Sequence, residues 1–244
     1  MSSKPLLVIQ TGRPPERILA DHGPFSAMIQ RISRVPLSAL EVVDVHEGGL
    51  LPAPHSVAGA VISGSAAMVS DREPWSEQTA QWIRDAFQQQ VPMFGICYGH
   101  QLMAHALGGQ VGYHPQGREI GTRAIHRSAD TPEQPALPAC FTAHLIHQQT
   151  VSQAPAQARI LASNDHDAHQ LLHYGADTWS TQFHPEFDAQ IMLDYVNVFR
   201  ERLIKESFDV EALASAVQET PRANALLADF IERRLLSAPT AAHE

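Results

Sequence analysis

The chain has 244 residues, enough for one good-sized core and too few for two ordinary catalytic domains with a linker between them. With 17 Lys+Arg against 26 Asp+Glu its formal net charge is −9, so it has no electrostatic footprint for phosphate backbones or anionic lipid, and nucleic acid is not an expected partner. The composition, 44% hydrophobic and 18% charged, is globular, and no apolar run approaches the roughly 18 residues that would span a bilayer, so no membrane partner is expected either.

The first apolar stretch, Leu6–Ile9, is shorter than the roughly 7–15 residues of a signal peptide's core and reads as a first strand of a cytoplasmic protein. Continuous apolar runs follow at Leu40–Val45, Val57–Ile62 and Val91–Ile96, a pattern that suits parallel strands buried on both faces by helices. Between the third and fourth runs, Trp75, Thr79, Trp82, Ile83, Ala86 and Phe87 recur at helical spacing behind Pro74, which completes a βαβ unit. The fourth run leads into Gly95-Ile-Cys-Tyr-Gly99, after which His100–Leu107 reads as a helix closed by Gly108-Gly109.

From Gln110 to Gln182 the texture changes. Short alternating segments at Gly117–Ile125, Ala143–Val151, Arg159–Ser163, Gln170–His173 and Thr178–Phe183 predict further, partly antiparallel strands, with the proline-bearing stretch Asp130–Pro138 as an exposed loop. Three helical stripes end the chain and are expected to face a core. They are Met192, Tyr195, Val196, Phe199 and Leu203, then Val210, Leu213, Ala214 and Val217, then Leu226, Leu227, Phe230, Ile231 and Leu235. The expected fold is α/β: a mostly parallel central sheet flanked by helices, with one domain over residues 1–204 and a C-terminal helical extension over residues 205–244. The helices from Asp209 onward are expected to cover one face of that domain or to form a homo-oligomer contact.

The chemistry concentrates in two segments. Glycines two residues either side of Cys97 are what a sharp strand-to-helix turn demands, because larger side chains collide where the backbone reverses. The thiol would then sit at a helix N-terminus, where the dipole and free N–H groups favour thiolate. With only two cysteines a disulfide framework is excluded; Cys140 lacks such a setting and reads as structural. In Thr181-Gln-Phe-His-Pro-Glu-Phe187, His184 and Glu186 lie two apart on one face of an extended chain stiffened by Pro185. The imidazole can take a thiol proton while the carboxylate orients it.

Gly95-Ile-Cys-Tyr-Gly-His-Gln101 followed by Phe183-His-Pro-Glu186 resembles the class I (triad type) glutamine amidotransferases, whose glutaminase module also occurs in GMP synthetase and carbamoyl phosphate synthetase. In element order the resemblance runs from about residue 4 to residue 200, and Gly117-Arg-Glu-Ile-Gly121 is similar to the subgroup near the GMP synthetase module. It implies the flavodoxin-like fold of that family and a Cys97–His184–Glu186 triad that attacks the carboxamide of glutamine, without a cofactor. It also implies oxyanion donors at the backbone N–H groups of Tyr98 and Ser65, and substrate contacts from Gly64, Gln101, His147, Gln148 and Gln149. Two places depart from the family pattern. Val61-Ile-Ser-Gly-Ser-Ala66 has Ser65 for a second glycine and Ala66 for a proline; serine keeps the N–H, but a positive φ there would be strained. Leu145-Ile-His-Gln-Gln-Thr-Val151 lacks the small or acidic residues usual after that histidine.

The 14 histidines raise a metal reading, but His169 with His173 and His144 with His147 fall in expected strands, where three- and four-residue spacings do not converge, and His100 and His105 point apart on a helix. No metal is expected. Three functions stay open: a stand-alone glutamine amidotransferase passing ammonia to a separate synthetase subunit or other acceptor, a γ-glutamyl peptide hydrolase or transferase using the same triad, and a catalytically silent regulatory module.

Overall fold

The computed structural model describes residues 4–129 and 137–236. The chain runs through β1 (Leu6–Gln10), α1 (Glu16–His22), α2 (Phe25–Ser33), β2 (Leu40–Asp44), β3 (Gly59–Ile62), α3 (Pro74–Gln88), β4 (Met93–Ile96) and α4 (Tyr98–Ala106). It continues through β5 (Gln110–Tyr113), β6 (Glu119–Arg127), β7 (Cys140–His147), β8 (Gln149–Gln153), β9 (Arg159–Ser163), β10 (Leu171–Gly175) and β11 (Thr178–Thr181). It ends in α5 (Ala189–Val198), α6 (Arg200–Lys205), α7 (Val210–Ser215) and α8 (Pro221–Leu236).

One nine-stranded sheet has the order β2-β1-β3-β4-β11-β10-β9-β6-β7. The five strands from β2 to β11 are mutually parallel, and within the whole sheet only β10 and β6 run against the rest. Strand alternation sorts the core. Leu6 and Val8 pack with Ile29 and with Ala223, Leu227 and Phe230 of α8 on one face, while Leu7 and Ile9 pack with Ile83 of α3 and Leu102 of α4 on the other. A third cluster, Met28, Phe187, Ile191, Tyr195, Leu203 and Leu213, joins α2 to α5, α6 and α7.

Several boundaries differ from the sequence reading, each for a local reason. The segment expected as one strand over Ala143–Val151 divides at Gln148: β7 pairs with β6 in the large sheet, whereas β8 leaves it to pair with β5 in a separate two-stranded sheet. The first tail stripe breaks at Phe199, which ends α5 and precedes α6. Asp188 starts α5 by accepting a hydrogen bond from Ile191 N at 2.8 Å, and Asp209 does the same for α7 from Ala212 N at 2.9 Å. The loop expected at Asp130–Pro138 lies, but for its last two residues, outside the described residues. No helix among the described residues is long and apolar enough to cross a membrane.

Candidate active site

Three loops leave the C-terminal ends of adjacent parallel strands and meet, the place where open α/β sheets put their ligands. Register decides which residues meet. Ile62 of β3 pairs with Gly95 of β4, and Thr181 of β11 pairs with Ile96, so the loops carrying Gly64, Cys97 and His184 emerge side by side.

Cys97 sits in the turn between β4 and α4 with φ 51° and ψ −97°, a left-handed conformation rarely adopted by side-chain-bearing residues and costing on the order of 1–3 kcal/mol. Its N–H donates to Thr181 O at 2.8 Å and its carbonyl accepts from Gln101 N at 3.0 Å, so both sides of the turn are tied down. The flanking glycines are required by contact. A Cβ on Gly99 would lie 2.3 Å from Ile62 O, and one on Gly95 would lie 2.7 Å from Gly99 O. The thiol reaches Ile146 O at 3.7 Å, at the end of β7.

His184 is buried beside it. Its N–H donates to His144 O at 2.8 Å, Nδ1 pairs with Glu186 Oε1 at 2.8 Å, and Nε2 has no conventional hydrogen-bond partner. Burial disfavours the imidazolium, but the Glu186 carboxylate and the Cys97 sulfur outweigh it and raise the His184 pKa. Behind the imidazole runs an aromatic column: Phe187 stacks on it, Tyr195 on Phe187 and Phe199 on Tyr195, with the Arg118 guanidinium 5.8 Å from the last ring centroid.

On the other side of Cys97, a Cβ on Gly64 would meet His184 Cε1 at 3.1 Å. Ser65 follows and is absent from the positive-φ positions of the described residues, so serine stands there without left-handed strain; its Oγ accepts from Ala67 N at 3.1 Å. Tyr98 opens α4, where N–H groups have no intrahelical acceptor. Its side chain turns into the core, the hydroxyl 2.6 Å from Ser76 Oγ, and burial pushes its pKa up to about 12.

A cavity of about 180 Å³ opens over Cys97 and His184, lined also by Ser65, Ile146 and Gln148. Among the expected substrate contacts, Gln148 lines this cavity, while Gln101, His147 and Gln149 hold its wall from behind. Gln101 Nε2 donates to Gln149 O (2.7 Å) and Gln182 Oε1 (3.0 Å). His147 lies between Gln149 O (2.9 Å) and Glu119 Oε2 (3.0 Å), and the Gln149 side chain bonds Ser70. Arg13, Arg118 and Arg202, which have no assigned role in the sequence pattern, all line the cavity. Only Arg118 lies in a segment with a detectable signal, the Gly117–Gly121 motif. Cys140 is exposed at the start of β7, and no group of three or more His, Cys, Asp or Glu side chains among the described residues could hold a metal ion.

Comparison with known proteins shows the family. The family model described as "Glutamine amidotransferase class-I" matches residues 25–197. The chain is 26% identical over 169 residues to gamma-glutamyl peptidase 5 of Arabidopsis thaliana, covering 67% of each. It is 34% identical over 128 residues to a GMP synthase (glutamine-hydrolyzing) of Thermomicrobium roseum, covering 52% of this chain but only 23% of that larger protein. It shares the fold of a glutamine amido transferase from Methylobacillus flagellatus, with a TM-score of 0.75 at 24% identity over 100% of this chain and 99% of that one. With a strand-to-helix cysteine elbow, an adjoining His–Glu pair and a family match over most of its length, the chain belongs to the class-I glutamine amidotransferase family.

Proposed function

We propose that the chain cleaves the side-chain amide of a γ-glutamyl donor, with glutamine as the simplest case, through a thioester on Cys97. The observation that carries this reading is that Cys97 and His184 line one cavity while His184 Nδ1 is held 2.8 Å from the buried Glu186 Oε1. Cys97 Sγ attacks the γ-carbonyl carbon after losing its proton to His184 Nε2. The carbonyl oxygen becomes an oxyanion between the N–H groups of Tyr98 and Ser65. The C–N bond then breaks, and the leaving nitrogen takes the proton held by His184. Glu186 keeps the imidazole in register and stabilises its charged form throughout. Water, deprotonated by the same imidazole, adds to the thioester and releases glutamate with Cys97 regenerated.

Gly64 and Gln148 contact the donor in this reading, and Gln101, His147 and Gln149 position the wall that carries Gln148. Both relatives described above bear names that refer to glutamine or γ-glutamyl peptides, which supports the γ-glutamyl group as the acyl part. When the donor is glutamine the product is ammonia, available to a separate synthetase subunit. The test is mass spectrometry of Cys97 after rapid quenching with glutamine and a panel of γ-glutamyl amides. A γ-glutamyl adduct on Cys97, absent in Cys97→Ala, is expected; amide cleavage at the wild-type rate by Cys97→Ala would overturn the reading.

A further inference from the structure

The cavity over Cys97 carries more positive charge than glutamine needs. Three guanidiniums line it, from Arg13 after β1, Arg118 before β6 and Arg202 of α6, and no carboxylate is among the described lining residues. Their counter-ions stand at the rim or outside. Glu47 pairs with Arg13 at 2.6 Å. Glu206 alone serves the other two: it accepts from Arg118 Nε at 2.8 Å and Nη2 at 3.4 Å, and from Arg202 Nε at 2.9 Å.

Gln148 completes the arrangement. In the amide orientation that satisfies both groups, its oxygen accepts from Arg118 and, at 2.6 Å, from Arg202 Nη2. Arg118 and Gln148 also line a second, more open groove of about 480 Å³ bordered by His114, Gln116, Phe208 and Glu206, the carboxylate that pairs with Arg118. They therefore form a cationic partition between the reacting thiol and adjoining space large enough for the rest of a longer donor.

Free glutamine is a zwitterion with one carboxylate and no net charge at neutral pH, whereas a γ-glutamyl amino acid has two carboxylates and one ammonium. Guanidiniums recognise carboxylates through paired, charge-assisted hydrogen bonds. We propose that the preferred donor is an anionic γ-glutamyl amino acid or peptide, one of its carboxylates held by the Arg118–Arg202 pair and the other by Arg13. The inference rests on the thioester reading and specifies its substrate. Sγ bonds to the γ-carbonyl carbon, the C–N bond breaks, and the leaving α-amine takes the proton from His184 and departs as a free amino acid. Water then releases glutamate.

The test compares γ-glutamylglycine with γ-glutamylglycinamide, which differ only in the second carboxylate. The wild-type protein is expected to favour the acid in kcat/KM by on the order of tenfold. Arg13 and Arg202 have side chains 52% and 53% exposed, so Arg13→Gln and Arg202→Gln can be made without opening the core. One of these variants is expected to collapse the preference, and the other to lower kcat/KM for both donors alike, because each guanidinium group holds a different carboxylate. Glu206→Gln, which frees the Arg118–Arg202 pair from its counter-ion, is expected to raise kcat/KM for the acid. A wild-type ratio near unity, or a ratio that neither arginine variant changes, would overturn the donor assignment while leaving the thioester reading intact. Failure to cleave any donor, glutamine included, would overturn both.

Discussion

The imidazole of His184 lies flat against the ring of Phe187, with centroids 4.2 Å apart and planes 13° apart, and Phe187 in turn stacks on Tyr195 at 5.0 Å. A histidine that must exchange a proton with a neighbouring sulfur needs its ring plane fixed, and here the plane is set from both directions, by Glu186 at Nδ1 and by the aromatic column behind. Phe187 is fully buried. Phe187→Leu keeps most of the volume but removes both stacking contacts. It is expected to lower stability by about 1–3 kcal/mol, read from urea unfolding, and to slow acylation of Cys97 more than it changes donor KM. Unaltered acylation in a variant that is destabilised as expected would show that the column supports the fold and not the imidazole.

The His184–Glu186 pair makes stability depend on pH in a defined direction. Burial acts to lower the His184 pKa, but the Glu186 carboxylate and the Cys97 sulfur raise it from 6.5 to about 10. A group raised on folding contributes stability that is complete below its unfolded value and disappears as pH climbs through the folded one. The protein is therefore expected to lose stability as pH rises from 6.5 to about 10. In Glu186→Gln the main attraction for the imidazolium is gone, so the slope of unfolding free energy across that window is expected to flatten. Parallel slopes in the two proteins would assign the alkaline loss to other groups.

Much of this site is legible in the sequence because its central parts are local. The elbow declares itself through glycines at 95 and 99, whose necessity is steric contact within one turn and with the adjoining strand, and His184 and Glu186 are two residues apart in one extended segment. Strands β1, β3 and β4 are legible because burial on both faces makes them continuously apolar. The arginine lining is not local in this way, and only Arg118 lies in a recognisable motif. Arg13, Arg118 and Arg202 belong to three distant segments that meet only after the sheet has formed and α6 has folded over it. The division of 143–151 into β7 and β8 is equally hidden, because no glycine or proline marks the break at Gln148 and what separates the halves is the strand each pairs with.

Ser65, which stands where the resemblance implies a second glycine, is accommodated by Gly12. A Cβ on Gly12 would lie 2.4 Å from Ser65 Oγ and 3.1 Å from its Cα, so the loop after β1 must present hydrogen where Ser65 presents a hydroxymethyl group. Gly12→Ala is expected to destabilise by about 1–3 kcal/mol, through displacement of the 63–66 loop, and to slow acylation. Adding Ser65→Gly removes the hydroxyl and is expected to recover part of both losses, with a coupling of about 0.5–3 kcal/mol in the double-mutant cycle. Strictly additive effects would mean that the two loops do not constrain each other.

The acid side of the stability profile belongs to different histidines. His100, in α4, is fully buried with Nδ1 2.7 Å from Ser180 Oγ, and burial lowers its pKa to about 3; burial lowers that of His144 to about 4. Both are neutral in the folded protein near neutral pH, while their unfolded counterparts begin to protonate near 6.5. Unfolding therefore takes up protons as pH falls, and stability declines below 6.5 toward the folded values, each histidine contributing at most about 1.4 kcal/mol per pH unit. Asparagine can present a polar nitrogen where His100 has Nδ1, so His100→Asn retains a partner for Ser180 while removing the titration. The variant is expected to be less stable than wild type at neutral pH and to lose stability more slowly as pH falls, so that the two curves converge in mild acid. Curves that stay parallel from pH 6.5 downward would remove His100 from the acid response and leave it to His144 and the carboxylates.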